Sequence, residues 1–194
     1  MIKVNPADWL IVVDYQNDFL PPDGALAVPG GDELVDSIND LIGGFPNSLA
    51  TQDWHPGDHY SFQNNGGKWP AHCVQGTLGA DFHPDLKVEQ LDFKLKKGFD
   101  PEDRSDYSGF SGETSSGRKM IDVLKTAGAE RLFVAGLALD YCVRATALDG
   151  LERDFPVFLL EDCTESVKEE DGEKALKETR SRGGEVISSS DLEL

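Results

Sequence analysis

The run LFVAGLALDYCV, residues 132–143, decides the fold. Its first half is apolar without a charged interruption, as a strand buried on both faces requires, and it breaks at Gly136 before restarting as a helical pattern that carries Cys142. A backbone turning from strand into helix aims free N–H groups and the positive end of the helix dipole at one spot. Such a spot favours thiolate over thiol and can hold an oxyanion. A cysteine at this turn is therefore either a nucleophile or a small packing residue, and its partners must decide between the two.

Outward from this run, apolar strand patterns alternate with helical ones. Strands are expected at 9–14, 48–54, 91–97, 131–137, 155–160 and 185–189, and helices at 32–42, 116–127, 140–153 and 169–182, where Gly128 closes the second. Alternation of this kind specifies an α/β chain: a three-layer αβα, doubly wound, Rossmann-like fold around a mostly parallel sheet of about six strands. At 194 residues with 39% hydrophobic content, one domain over 1–194 accounts for the chain. A glycine-rich excursion around 53–83 reads as a lid or wall rather than core. There is no internal repeat, low-complexity tract or linker.

The first candidate partner of Cys142 is Asp14, which ends the apolar run WLIVV (9–13). A carboxylate at the carboxyl end of a buried strand sits where open α/β sheets place ligands, although an Asp there can also cap a loop. The second is a lysine among Lys94, Lys96 and Lys97 in LDFKLKKG (91–98), an alternation that also fits an ordinary strand with solvated charges. The third feature is TQDWHPGDHYSF (51–62) followed by WPAHC (69–73). Asp53 and His55 lie two apart, so on an extended segment both side chains point to one side, and His72 can close a metal site from another loop. The histidines of the chain are His55, His59, His72 and His83, and the first three fall within this one region. A polar loop with incidental histidines is the bland alternative. Oxygen and imidazole ligands suit one divalent ion, with Zn, Fe and Mn all compatible.

Composition narrows the class of function. The chain has 36 acidic against 18 basic residues and a net charge of −18, which argues against a phosphate backbone or an anionic membrane surface as partner. A neutral small molecule meets little repulsion. No stretch approaches ~20 uninterrupted apolar residues, and the start lacks a secretory pattern, so a cytoplasmic location is expected. Three cysteines, one of them wanted as a thiolate, make a disulfide framework a poor reading and a reducing compartment a good one, with Cys73 and Cys163 as core or loop thiols. Homo-oligomerisation is left open.

Taken together, DYQNDF (14–19), DWHPGDH (53–59), WPAHCVQGTLGADFHP (69–84), KKG (96–98), YSGF (107–110) and GLALDYCV (136–143) resemble the nicotinamidase and pyrazinamidase branch of the isochorismatase-like cysteine hydrolases. The resemblance runs from about residue 9 to about residue 188, with the motifs in order. It implies a catalytic triad of Asp14, Lys97 and Cys142, metal ligands at Asp53, His55 and His72, and substrate stacking on Phe19 and Trp69, with Tyr107 as a further pocket residue. It also implies a cis peptide between Leu137 and Ala138. Some members of that family place a further histidine six residues after the first metal histidine, whereas His59 follows His55 by four. His59 is therefore kept outside the ligand set, with a hydrogen bond to a metal-bound water or to a ligand as its role. The segment FDPEDRSD (99–106) is longer than in the compact relatives.

Asp14, Asp53, Lys97 and Cys142 all fall at or just after the carboxyl ends of expected parallel strands, which in an open α/β sheet share one crevice. The reaction implied is amide hydrolysis through a thioester on Cys142, with the N–H groups of Ala138 and Cys142 as oxyanion hole. Two other readings stand beside it. A sibling hydrolase acting on a carbamoyl amide, a ureide or isochorismate would commonly lack the metal cluster. A binding protein that kept the fold would lack a reactive thiol. A phosphate-binding doubly wound protein is disfavoured, since neither a Walker-type run nor G-x-G-x-x-G follows the first long strand.

Overall fold

In a computed structural model, which describes residues 1–102 and 107–194, the elements in chain order are β1 (Ile2–Lys3), β2 (Asp8–Val13), α1 (Val35–Gly44), β3 (Ser48–Asp53), β4 (Phe93–Lys97), α2 (Met120–Thr126), β5 (Arg131–Leu137), α3 (Arg144–Glu152), β6 (Val157–Glu165), α4 (Glu169–Ser181), β7 (Glu185–Ile187) and β8 (Leu192–Glu193). Six strands form one sheet in the order β4-β3-β2-β5-β6-β7, and every pairing in it is parallel. The first long strand, β2, thus lies in the middle and the chain winds outward from it in both directions. That switch in direction opens a crevice at the carboxyl ends of β2 and β5.

Side-chain alternation along the central strands builds two cores. Leu10 and Val12 of β2 with Phe133 and Ala135 of β5 pack beneath Ile38, Leu41 and Ile42 of α1. Ile11 and Val13 with Leu132 and Val134 pack on the other side against Met120, Val123 and Leu124 of α2, Ala147 of α3 and Ala175 of α4. These are the three layers the alternating pattern specifies. The crossing of β2 and β5 is tight at Gly136, where φ is 108° and a Cβ would stand 2.2 Å from the Val13 carbonyl oxygen. Only glycine allows both that backbone angle and that approach.

Several expectations shift at the edges. The helix expected from 116 begins at Met120, and α1 is preceded by a tighter 3-10 turn at Gly31–Leu34. The strand expected at 155–160 runs on to Glu165, because a register shift against β5 between Val134 and Gly136 lets the polar residues Glu161 and Asp162 face outward and pairing resume at Thr164. The pair β1 and β8 is too short to leave a pattern in sequence. Within the excursion 53–83, Phe62, Cys73 and Ala80 are fully buried, so this segment contributes core as well as wall. Among the described residues no helix is long and apolar enough to cross a membrane.

Candidate active site

The site begins where strands end. Asp14 is the first residue after β2; its φ of 44° turns the chain sharply and leaves its carboxylate fully buried beneath the crevice. Thr51 of the neighbouring strand holds it, donating from Oγ1 to Asp14 Oδ1 at 2.7 Å. Asp53 and Lys97 are the last register pair of β3 and β4, and their side chains meet as an ion pair. The Lys97 ammonium also lies 2.9 Å from Asp14 Oδ2 and 3.7 Å from Cys142 Sγ. The alternation of β4 selects this lysine from the three: Lys94 is exposed, Lys96 stacks over the Trp54 ring 3.1 Å from its centroid, and Lys97 is 3% exposed.

Electrostatics set the resting protonation. Burial raises the pKa of Asp14, an effect that Lys97 opposes. Burial works against the charge of Asp53 too, but Lys97 and His55 together hold its carboxyl well below the usual range. Lys97 loses by desolvation and gains more from Asp14, Asp53 and Cys142, so it stays an ammonium. Burial pushes the Cys142 thiol well above its ordinary value, Lys97 pulls the other way, and the two carboxylates add to the rise. The resting sulfur is a thiol, contrary to what a helix N-terminus alone would favour. The cause is burial together with the two carboxylates, which come from other strands; Cys142 itself sits in a π-helical turn, Leu139–Val143, ahead of α3, and not in the first turn of a regular helix as the sequence pattern suggested. The Leu137–Ala138 peptide that precedes this turn is cis, as the resemblance implied.

Beside this group, ligating atoms of Asp53, His55 and His72 lie within 4.8 Å of one another, all buried. Nδ1 of His55 is 3.0 Å from the Gly98 carbonyl oxygen and Nδ1 of His72 is 2.8 Å from that of Pro70. A carbonyl can only accept, so each Nδ1 carries a proton, and in the neutral ring Nε2 is the nitrogen left with the lone pair that a metal takes. Burial also lowers the pKa of His72, which keeps the ring neutral. Two oriented imidazoles and a carboxylate fit a divalent metal of the Zn, Fe or Mn type. The ring of His59 stacks on that of His55 at 4.2 Å between centroids, and its Nδ1 pairs with Ser61 Oγ at 2.7 Å. It packs behind His55, while the clustered donors are Asp53, His55 and His72.

Above both groups lies a cavity of about 290 Å³ whose lining includes Asp53, His72, Ala138 and Cys142 together with Phe19, Trp69 and Tyr107. Every pocket residue expected from sequence therefore reaches one space, while Asp14, Lys97 and His55 lie outside its lining. Sequence reasoning missed part of the wall. Residues 25–28, Tyr141 and Val167 also line the cavity, and Tyr141 packs edge-on against Trp69 and Tyr107. The position of Tyr141 next to Cys142 was the one available signal; GALAV has no periodicity to mark it. The segment 99–106 lies only partly within the described residues, since 103–106 fall outside them.

Comparison with known proteins agrees with this geometry. A model of the isochorismatase domain matches residues 8–191. The chain is 38% identical over 187 residues to the nicotinamidase/pyrazinamidase of Mycobacterium tuberculosis, covering 93% of this chain and 98% of that protein. It superposes with a TM-score of 0.92 on the crystal structure of PnC1 from L. infantum in complex with nicotinate, at 38% identity over 99% of this chain and 98% of that one. The pyrazinamidase of Pyrococcus horikoshii in complex with zinc is similar at a TM-score of 0.84 and 42% identity, over 94% and 99% of the two chains. With a domain match from end to end of the sheet and a cysteine, an aspartate and a lysine clustered at its carboxyl edge, this chain belongs to the isochorismatase family.

Proposed function

We propose that this protein hydrolyses nicotinamide, and pyrazinamide with it, to the corresponding acid and ammonia through a thioester on Cys142. The observation that carries the reading is the contact of Lys97 with Asp14, Asp53 and Cys142 directly beneath a cavity walled by aromatic rings and a metal-suited imidazole. The same cavity dimensions and donor types suit a small neutral heteroaromatic amide. The nicotinamidase/pyrazinamidase of Mycobacterium tuberculosis and PnC1 with its nicotinate support the substrate, and the zinc complex of the Pyrococcus horikoshii pyrazinamidase favours Zn as the ion.

In the reaction, Asp14 accepts the thiol proton of Cys142 as sulfur bonds to the carboxamide carbon. Burial holds the proton on the sulfur at rest, so the thiol depends on Asp14 as its base. The N–H groups of Ala138 and Cys142 hold the oxyanion. Lys97 remains protonated and offsets the negative charge passing between Asp14 and sulfur. Protonated Asp14 then gives its proton to the departing ammonia as the C–N bond breaks. Water adds to the thioester carbon while Asp14 takes one of its protons, the C–S bond breaks, and that proton returns to sulfur as the acid leaves. When bound at Asp53, His55 and His72, the divalent ion supplies a Lewis-acid position for the pyridine nitrogen. Phe19, Trp69 and Tyr107 hold the ring faces.

In this reading residues 1–194 act as one hydrolase unit, and the excursion 53–83 supplies His72 and Trp69 as well as the cover of the site. The free, buried state of Cys73, Cys142 and Cys163 supports work in a reducing cytoplasm. The decisive experiment measures ammonia release from nicotinamide and, separately, from pyrazinamide by the purified zinc-loaded protein. Turnover of nicotinamide is expected. Absence of ammonia with both amides would overturn the reading and return the sibling hydrolases to consideration.

A further inference from the structure

We infer that Gln16 is a positioning residue for Asp53: its side-chain amide completes the β2–β3 ladder at the point where the β2 backbone has turned away. In a parallel pair the bonds alternate evenly along the two strands. Leu10 N–H donates to Asn47 O at 3.0 Å and Asp14 N–H to Thr51 O at 3.2 Å, so the next bond in sequence would run from Asp53 N–H to Asp14 O. It does not form. The left-handed turn at Asp14 redirects that carbonyl, which instead accepts from Gln16 N–H at 2.8 Å. Without a substitute, the last residue of β3 would lose its β2 neighbour on the very residue whose carboxylate meets both His55 and Lys97.

The substitute is the Gln16 amide. Its Oε1 accepts from Asp53 N–H at 2.7 Å, and its Nε2 donates to Asp53 O at 2.8 Å, so one side chain meets both backbone groups of Asp53 as a strand would. The second Nε2 proton goes to Ala80 O at 2.8 Å. These partners dictate the orientation of the amide, since two carbonyls demand the nitrogen and an N–H demands the oxygen. Gln16 is fully buried, so no water stands ready to replace it. The arrangement reconciles two needs. Asp14 must leave the strand to bring its carboxylate beneath Cys142, and Asp53 must stay in it to hold its own carboxylate still. This inference rests on the reading of Asp53 as a metal ligand.

The test compares Gln16→Met, which keeps the volume and removes the amide, with Gln52→Met. Gln52 is also buried and donates to the same Ala80 carbonyl at 2.6 Å, but it makes no side-chain bond to the Asp53 backbone. Zinc affinity is read by chelator competition, and amide hydrogen exchange at Asp53 is read in the zinc-free protein. Gln16→Met is expected to weaken zinc by about 10–100-fold, the range for partners that orient metal ligands, and to speed exchange at Asp53 ahead of the β2 and β3 core amides. Gln52→Met should lower the melting temperature yet leave zinc affinity near that of the unaltered chain. Should Gln16→Met not fold, Gln16→Asn carries the same expectation, because its shortened amide no longer reaches Asp53. Equal loss of zinc in the Gln16 and Gln52 variants, or no loss in either, overturns the inference. An unaltered chain that takes up no zinc overturns the ligand reading beneath it, while the exchange rate at Asp53 still reports on the clamp itself.

Discussion

Asp53 and Lys97 stand opposite each other as the final register pair of β3 and β4, and the pairing of their backbones is repeated by the pairing of their side chains. Strand pairing thus sets the charge pairing. Because Asp14 shares the same ammonium, removing that ammonium exposes two buried carboxylates to each other.

Lys97→Met is accordingly expected to destabilise the protein by about 3–5 kcal/mol, the usual cost of stranding buried charge. Asp14→Asn should cost less, since the Asp53–Lys97 pair survives, although turnover is lost for want of a proton acceptor. In the double variant the penalties should fall short of their sum. Urea unfolding of the singles and the double measures this, and strict additivity would mean that Lys97 and Asp14 do not interact.

Cys142→Ala removes the nucleophile and little else. Ammonia release should fall at least ~10⁴-fold, as for other covalent hydrolases that lose their attacking atom, with zinc content and melting temperature nearly unchanged. A variant that retained turnover close to that of the intact chain would require another nucleophile.

For the metal group, His55→Ala and His72→Ala should each lose most of the bound zinc, whereas His59→Ala should retain it or weaken it mildly, because His59 stacks on His55 and lies outside the clustered donors. The Michaelis constant for nicotinamide should rise with metal loss. Elemental analysis of the purified variants decides the matter; complete loss from His59→Ala would make that residue a direct ligand.

Gly98 follows Lys97 and presents its carbonyl to His55. Its φ is 70°, and a Cβ there would lie 2.5 Å from Nδ1 and Cε1 of the imidazole. Gly98→Ala should therefore incur the roughly 1–2 kcal/mol of a left-handed non-glycine residue and also displace the His55 ring. Gly117→Ala, at φ 79° with open space around it, isolates the backbone cost. Zinc loss is expected in the first variant only. Equal zinc content in both would show that the ring adjusts without consequence.

Much of this was legible because the chemistry sits at strand ends. Runs such as WLIVV and RLFVAGL announce buried parallel strands by composition alone, and the residues just past such runs share a crevice by topology. What stayed hidden was tertiary. No local pattern says that Thr51 will hold Asp14, that Gln16 will replace a strand, or that residues 25–28 will wall the cavity. The thiol posed a different difficulty: its turn was legible as a helix start, but the desolvation and the two carboxylates that govern its proton come from other strands. The extension of β6 was hidden because its outward Glu161 and Asp162 read as the end of an apolar run.

The alternation of β4 has one more consequence. Lys96 and Lys97 are adjacent, so an edge strand docked one place out of step could seat the wrong ammonium between the carboxylates and form a decoy of the site. That misalignment would drive Lys94 into the fully buried seat of Leu95, expose Leu95, and strip the Trp54 ring of the cation now stacked on it. Burying an unpartnered lysine costs several kcal/mol. The apolar residue two places before Lys97 therefore acts as a proofreading device, rejecting during folding an arrangement that the charges alone would accept.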